Sequence, residues 1–320
     1  MRFMTCGGLI ALALALADAV PAHAQYPSRP IRLIVPFGAG SANDIVARMI
    51  GSPLSEALGR QAVIDNRPGA GGNIGAELVV ISPPDGYTIM MGNISHAIAM
   101  TLYSKPGYDL VKDFAPVTLL ASGTFLVAVH PSVLAKSVKE LIALAKTRPG
   151  EINVATAGFG VYLASQLFNS MAGIKMTPVT YKSTPQAVTA LIGGEVSVGF
   201  PGTSAALPHV RSGKMRGLAI TGAQRVSIVP DLPTVAEAGV PGYEASPWYG
   251  LLVRTGTPAE IISRLHAESV KVLKQPDVKE RFGATDLEPI GSTPEQFGIH
   301  IRSEISKWGK IVKATGLRPD

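Results

Sequence analysis

The stretch VPFGAGSANDIVAR, residues 35 to 48, decides the fold. An apolar run from Ile31 to Phe37 stops at Gly38-Ala39-Gly40, three residues with almost no side chain. Ser41, Ala42, Asn43 and Asp44 follow, and then Ile45-Val46. This order reads as strand, bare loop and helix start. A loop so bare lets another group come close to the backbone. The helix mouth behind it offers unpaired N–H donors and a partial positive charge, so an anion is the expected occupant.

The same unit recurs along the chain. Ala62 to Asp65 leads through RPGAGGN to a helix over Ile74 to Ile81, and Tyr87 to Met91 leads through GNISH to a helix near Ala97. Strands alternating with helices imply a mainly parallel sheet covered on both faces. Pro53 falls inside the first helix and is expected to kink or split it. A second series begins after the apolar stretch Val117 to Val129. Ser137 caps VKELIALAK; then come the strand Ile152 to Ala155, the loop TAGFG and a helix from Val161 to Met171. The strand Pro178 to Tyr181, the loop KSTPQ, a helix to Ile192, the strand Val196 to Phe200 and the loop PGTS complete it. The C-terminal part reads as a strand, WYGLLV, followed by amphipathic helices opened at Thr257-Pro258 and at Thr293-Pro294-Glu295. The expected molecule is α/β with two lobes, each a mainly parallel sheet flanked by helices. Lobe one takes residues 25–125 and 250–320, lobe two takes 126–249, and a cleft lies between them.

The first 24 residues have the layout of a secretory signal peptide: Arg2, the apolar run Leu9 to Ala17, and Ala22-His23-Ala24 before the cut. Cleavage after Ala24 and export to the periplasm are expected. The single cysteine, Cys6, falls inside that segment, so the mature chain would carry neither disulfide nor thiol. The 320 residues, 46% hydrophobic, suffice for two domains. A net charge of +6 is spread thinly, without the clustered basic face that nucleic-acid binding needs. It gives a mild field that attracts acids.

The loops GAGSAN, RPGAGGN, GNISH, TAGFG, KSTPQ and PGTS hold Gly, Ala, Ser, Thr and Asn with few charges. In open parallel sheets, ligands bind beyond the carboxyl ends of strands, where such loops converge. Amides and hydroxyls would then do the recognising. Any one glycine loop reads equally well as a tight turn. GAGSAN lacks the third glycine of a dinucleotide fingerprint, no GK[ST] follows it, and no cofactor is expected. GxSxG and HExxH are absent, and His96, His130, His209, His266 and His300 stand singly. His96 has a site position, although a loop or cap role is the commoner one for such a histidine. Asp44 at a helix start caps or ties loops more readily than it acts as a base. Phe159, Tyr162 and Trp248 are cleft candidates, with core positions the commoner alternative. Lys182 is the most suggestive cation.

Together the segments YPSRPIRLIVPF, DIVAR, NRPGAGGNIGAE, PDGYTIMMGN, YDLVKDFAPVTLL, SVKELIALAKTRPGEIN, LPHVRSGKMRGLAI, LPTVAEAGVPGYEA and GSTPEQF resemble the periplasmic solute receptors of tripartite tricarboxylate transporters, also called Bug-type receptors. The resemblance spans essentially the whole mature chain. It implies a two-lobed type II periplasmic-binding-protein fold that closes on a small organic carboxylate and delivers it to membrane permease subunits; the ligand expected here is aromatic or dicarboxylic. It implies a ligand-binding group of Phe37, Gly38, Ala39, Ser41, Asn43, Gly71, Asn73, Asn93 and His96 in lobe one. Gly158, Phe159, Gly160, Lys182, Ser183 and Thr203 form the implied group in lobe two. Three departures stand out: GAGS where the family has PPGG, AGFGVYLA where it has AGxGT or AGxGS, and PGTS in place of an acidic or amide-bearing segment. Phe159, Val161 and Tyr162 in place of polar groups favour a ligand with an apolar or aromatic body. A monomeric receptor without catalytic residues, metal or nucleic-acid partner is expected. A sensing module for a two-component kinase is the alternative, and an exported hydrolase stands behind it.

Overall fold

Ile31–Val35 forms β1, and its buried side chains enter a sheet between Ala62–Asn66 (β2) and Thr88–Asn93 (β3). The computed structural model describes residues 26–315; the expected signal peptide and Cys6 lie outside them. Helix α1, Ala42–Leu58, starts where the Ser41 hydroxyl accepts the Asp44 N–H at 3.3 Å and ends at Gly59 with φ of 69°. Only the left-handed conformation that glycine tolerates stops the chain there so sharply.

Pro53 does not split this helix. The proline removes the N–H that would bond the carbonyl of Met49. That carbonyl accepts from Arg281 Nη1 at 3.3 Å instead, and Arg281 belongs to a helix over Pro276–Gly283 that packs on α1. Arg281→Ala is therefore expected to cost about 1 kcal/mol in urea unfolding. Restoring the lost donor with Pro53→Ala should remove the share of that cost that arises at Met49 O and leave only the exposed pairing of Arg281 with Asp277.

Helix α2 is Asn73–Val80 and α3 is Ile94–Leu102; Phe114–Ser122 is β4 and Leu126–Val129 is β5. The stretch from Val117 to Val129 is thus two strands, divided at Gly123-Thr124-Phe125 where the chain leaves one sheet for the other. In the second sheet α4 (Val138–Thr147), β6 (Asn153–Thr156), α5 (Phe159–Ala172), β7 (Thr177–Thr180), α6 (Thr184–Ile192), β8 (Val198–Gly199), α7 (Thr203–Arg211) and β9 (Arg216–Ile220) follow in turn. The chain returns as β10 (Trp248–Arg254), and α8 (Ala259–Lys274), α9 (Pro276–Gly283), β11 (Glu288–Pro289) and α10 (Pro294–Thr315) finish it.

The strand orders are β11-β4-β10-β3-β1-β2 and β7-β6-β8-β5-β9. These sheets are mixed, which corrects the expectation of mainly parallel ones. The strand–helix–strand units give the parallel pairs β1 with β2 and β3, and β6 with β7 and β8. Strands β10 and β5 run antiparallel to their neighbours because they enter from the other lobe.

The two crossing segments are tied to each other and to the C-terminal part. Gly123 N–H donates to Pro247 O at 3.0 Å, while the Thr124 N–H and hydroxyl donate to Asp286 Oδ2 at 2.6 and 2.8 Å. One apolar core runs through both lobes, from Ile94, Ala97 and Ile98 of α3 to Leu163 and Phe168 of α5. Trp248 and Trp308 lie in it too, and both indole N–H groups donate to Glu304 Oε2, at 3.2 and 3.0 Å. That core joins the lobes beside the helix mouths of α3 and α5, where the Gly160 N–H meets Ser95.

Candidate functional site

Residues 36–41 form a loop frozen from behind by Asp44. Its carboxylate accepts from the Gly40 N–H at 2.9 Å, Arg48 Nε at 2.9 Å and Asn66 Nδ2 at 3.0 Å; the same Asn66 amide reaches Phe37 O at 3.0 Å. Burial pushes the Asp44 carboxyl up, but these donors outweigh it and hold it below the usual range. As its place at a helix start implied, Asp44 ties loops together.

The RPGAGGN loop turns through Gly69, Ala70, Gly71 and Gly72 with φ of 139°, 47°, 66° and 107°. Four positive values in a row are feasible because three of the residues are glycine. Asn73, at the start of α2, accepts from the Tyr108 hydroxyl at 3.0 Å. Asn93 and His96 form a capping box on α3: the Ser95 N–H donates to Asn93 Oδ1 at 3.0 Å, and the Asn93 N–H donates to His96 Nδ1 at 3.1 Å. His96 is 0% exposed, and burial pulls its pKa down to about 4.

From the second lobe, Gly158 precedes α5 and brings the next residues across the cleft. The Gly160 N–H donates to Ser95 Oγ at 3.1 Å. The ring of Phe159 lies against Gly71, so close that a β-carbon there would sit 1.9 Å from Cε2. Tyr103 meets Phe159 edge to face, with centroids 5.3 Å apart. A β-carbon on Gly158 would lie 3.1 Å from Phe37, one on Gly38 3.4 Å from Ser183, and one on Gly202 3.6 Å from Ala42. The lobes are therefore closed on one another along these loops.

Beside the closed seam is a cavity of about 450 Å³. Of the residues expected at a site, Phe37, Gly71, Gly158, Phe159 and Lys182 line it. Gly38, Ser41, Asn43, Ser183 and Gly160 are placed in or behind the closed seam and Ala39 is exposed; none of them is on the cavity wall. Asn73, Asn93 and His96 stand behind the wall as cap and hydrogen-bond partners. Thr203 is fully buried, bonded through its hydroxyl to Thr124 O at 3.0 Å. Leu102, Tyr103, Thr180 and Tyr181 are lining residues that the sequence reading did not place at the site, although Tyr181 adjoins Lys182 in the YKSTPQ segment.

Among the described residues, Lys182 is the one charged side chain on the cavity wall. No group of three or more His, Cys, Asp or Glu side chains is placed to hold a metal ion among them. Main-chain groups, hydroxyls, aromatic faces and one ammonium can hold an anion with an apolar body; the wall itself offers no nucleophile paired with a base.

A family model for the tripartite tricarboxylate transporter family receptor, TctC, matches residues 46–317. Protein BugT of Bordetella pertussis is 34% identical, over 99% of this chain and 98% of its own. A Rhodopseudomonas palustris protein solved with adipate superposes with a TM-score of 0.89 at 36% identity, covering 92% of this chain and all of that one. MatC from the same organism, with bound malate, gives 0.85 at 33% identity, covering 90% of this chain and all of its own. The chain belongs to the receptors of the tripartite tricarboxylate transporter family, a family of periplasmic solute-binding proteins with a two-lobed fold.

Proposed function

We propose that the protein captures a small organic carboxylate between its lobes in the periplasm and hands it, unaltered, to the membrane permease subunits of a tripartite tricarboxylate transporter. The observation that carries this reading is the cavity at the closed junction, with amide-rich loops on one side and Lys182 on the other. Adipate and malate in the two superposed relatives support it. Closure would bring the lobe of residues 126–249 onto the lobe of 25–125 and 250–320. On opening, Gly38, Ala39, Ser41 and Asn43 would face Gly160 and Ser183 across free space, where main-chain donors receive the carboxylate before the lobes meet. A monomer suffices for this task, and release to a permease requires that no covalent bond form.

Thermal unfolding with a panel of mono- and dicarboxylates tests capture. A true ligand at ten times its dissociation constant adds about 1.4 kcal/mol of stability. No shift with any acid, against a clear shift with neutral or cationic solutes, would sink the reading. Delivery is tested by uptake of that ligand in cells, which should vanish when the permease genes are deleted and persist when sensor-kinase genes are.

A further inference from the structure

We propose that the ligand of this cavity is a monocarboxylate carried on an aromatic ring, with the ring held inside by aromatic side chains and the carboxylate at the mouth beside Lys182. This rests on the carboxylate-receptor reading and narrows it. Five of the fifteen lining residues are aromatic, namely Phe37, Tyr103, Phe159, Tyr162 and Tyr181, whereas aromatic residues make up 6% of the chain. The rings come from both lobes, so a planar molecule between them is gripped on each side as the lobes close. Tyr103 and Phe159 already adopt the edge-to-face arrangement, at an interplanar angle of 69°, that a third ring can extend. Such ring pairs gain about 0.5–1.5 kcal/mol beyond the area they bury, a gain that a saturated chain does not share.

Charge points the same way. Lys182 is exposed, so one carboxylate beside it is balanced while keeping part of its hydration. A second carboxylate on the same ligand would meet no second cation on the wall, only neutral main-chain and hydroxyl groups beside the rings. The Gly72 N–H, on the nearest loop, is already given to Gly69 O at 2.9 Å. An ion desolvated without a partner costs several kcal/mol. A cavity of about 450 Å³ is large enough to enclose an aromatic acid. The class differs from the linear diacids carried by the two superposed relatives.

Calorimetric titration of the protein with benzoate, adipate, malate and benzamide tests the assignment. Benzoate should bind at least about tenfold more tightly than either diacid, and benzamide, which keeps the ring and loses the charge, at least about tenfold more weakly than benzoate. Tyr103→Leu should weaken benzoate about tenfold and adipate less than about threefold, and Phe159→Leu provides the same comparison if the first variant is unstable. Adipate or malate binding as tightly as benzoate would overturn the aromatic assignment and leave the receptor reading standing. Benzamide matching benzoate would overturn the place given to Lys182. Absence of benzoate binding would overturn the aromatic assignment, and the receptor reading falls only if the wider acid panel also fails while neutral or cationic solutes bind.

Discussion

Gly71→Ala should hold the two lobes apart and weaken ligand binding by roughly 30- to 150-fold. The added β-carbon meets Phe159 at 1.9 Å from Cε2 and 2.4 Å from Cδ2, so the ring must swing off the loop. Phe159 then loses its pairing with Tyr103, about 1 kcal/mol, and part of its apolar burial, about 1–2 kcal/mol. These losses fall on the closed state alone, and about 2–3 kcal/mol against closure gives the stated factor. A separate cost of about 1 kcal/mol arises because Gly71 has φ of 66°, which alanine adopts reluctantly. That second cost is shared by the open and closed forms and shows only in global unfolding. A double-mutant cycle separates the two: in a Phe159→Ala background, Gly71→Ala should retain the stability loss and no longer affect closing. Small-angle scattering reports the closing equilibrium, and calorimetry reports affinity. Unchanged scattering and affinity in Gly71→Ala would mean that Phe159 is not seated on this loop in solution.

The seating of Phe159 marks where sequence reading reaches its limit. The run from Ile31 to Asp44 is legible to within a residue or two, because an apolar strand, a bare loop and a serine cap are all local signals. The loops RPGAGGN and TAGFG, which contribute to the cavity wall, are legible as loops for the same reason, while GNISH stands behind that wall. The wall of the cavity is not, since Leu102 and Tyr103 end α3 while Thr180 and Tyr181 end β7, and only the docking of one lobe on the other brings them together. Strand direction has the same origin. Nothing in the residues WYGLLV distinguishes a parallel from an antiparallel strand, and β10 is antiparallel because it arrives from the second lobe. The two-residue β11 carries a pattern too short to separate from a turn. Pro53 was legible as a lost hydrogen bond, but its remedy, Arg281, lies over two hundred residues away. His96 sits between these cases: its position next to a strand end was readable, while its complete burial is a result of packing.

That burial makes His96 the source of a large pH effect. Its Nδ1 accepts the Asn93 N–H, so the native ring is neutral and its proton is on Nε2, beside the Gly72 backbone. Protonation would put a second hydrogen where the Asn93 N–H points and an unbalanced charge in a fully buried position. The folded pKa of about 4 lies below the ordinary 6.5, so the unfolded chain binds the proton first as pH falls. Stability is then complete above about pH 6.5 and declines as pH falls from there towards 4, approaching a total loss of about 3 kcal/mol from this one group. Glutamine is the residue that a capping box ordinarily carries at this position, and it does not titrate. His96→Gln should therefore be close to neutral in stability at about pH 7.5 and more stable than the parent by about 2.5 kcal/mol at about pH 4.5. Carboxylates such as Asp44, held below their usual range, add an acid-side loss of their own, but they contribute equally to both proteins and cancel in the difference. Urea unfolding across this range measures it: two curves that diverge with acid support the capped, neutral histidine, and parallel curves would place the acid sensitivity elsewhere. The stake reaches the ligand, because the Gly72 backbone against which His96 is packed is part of the cavity wall.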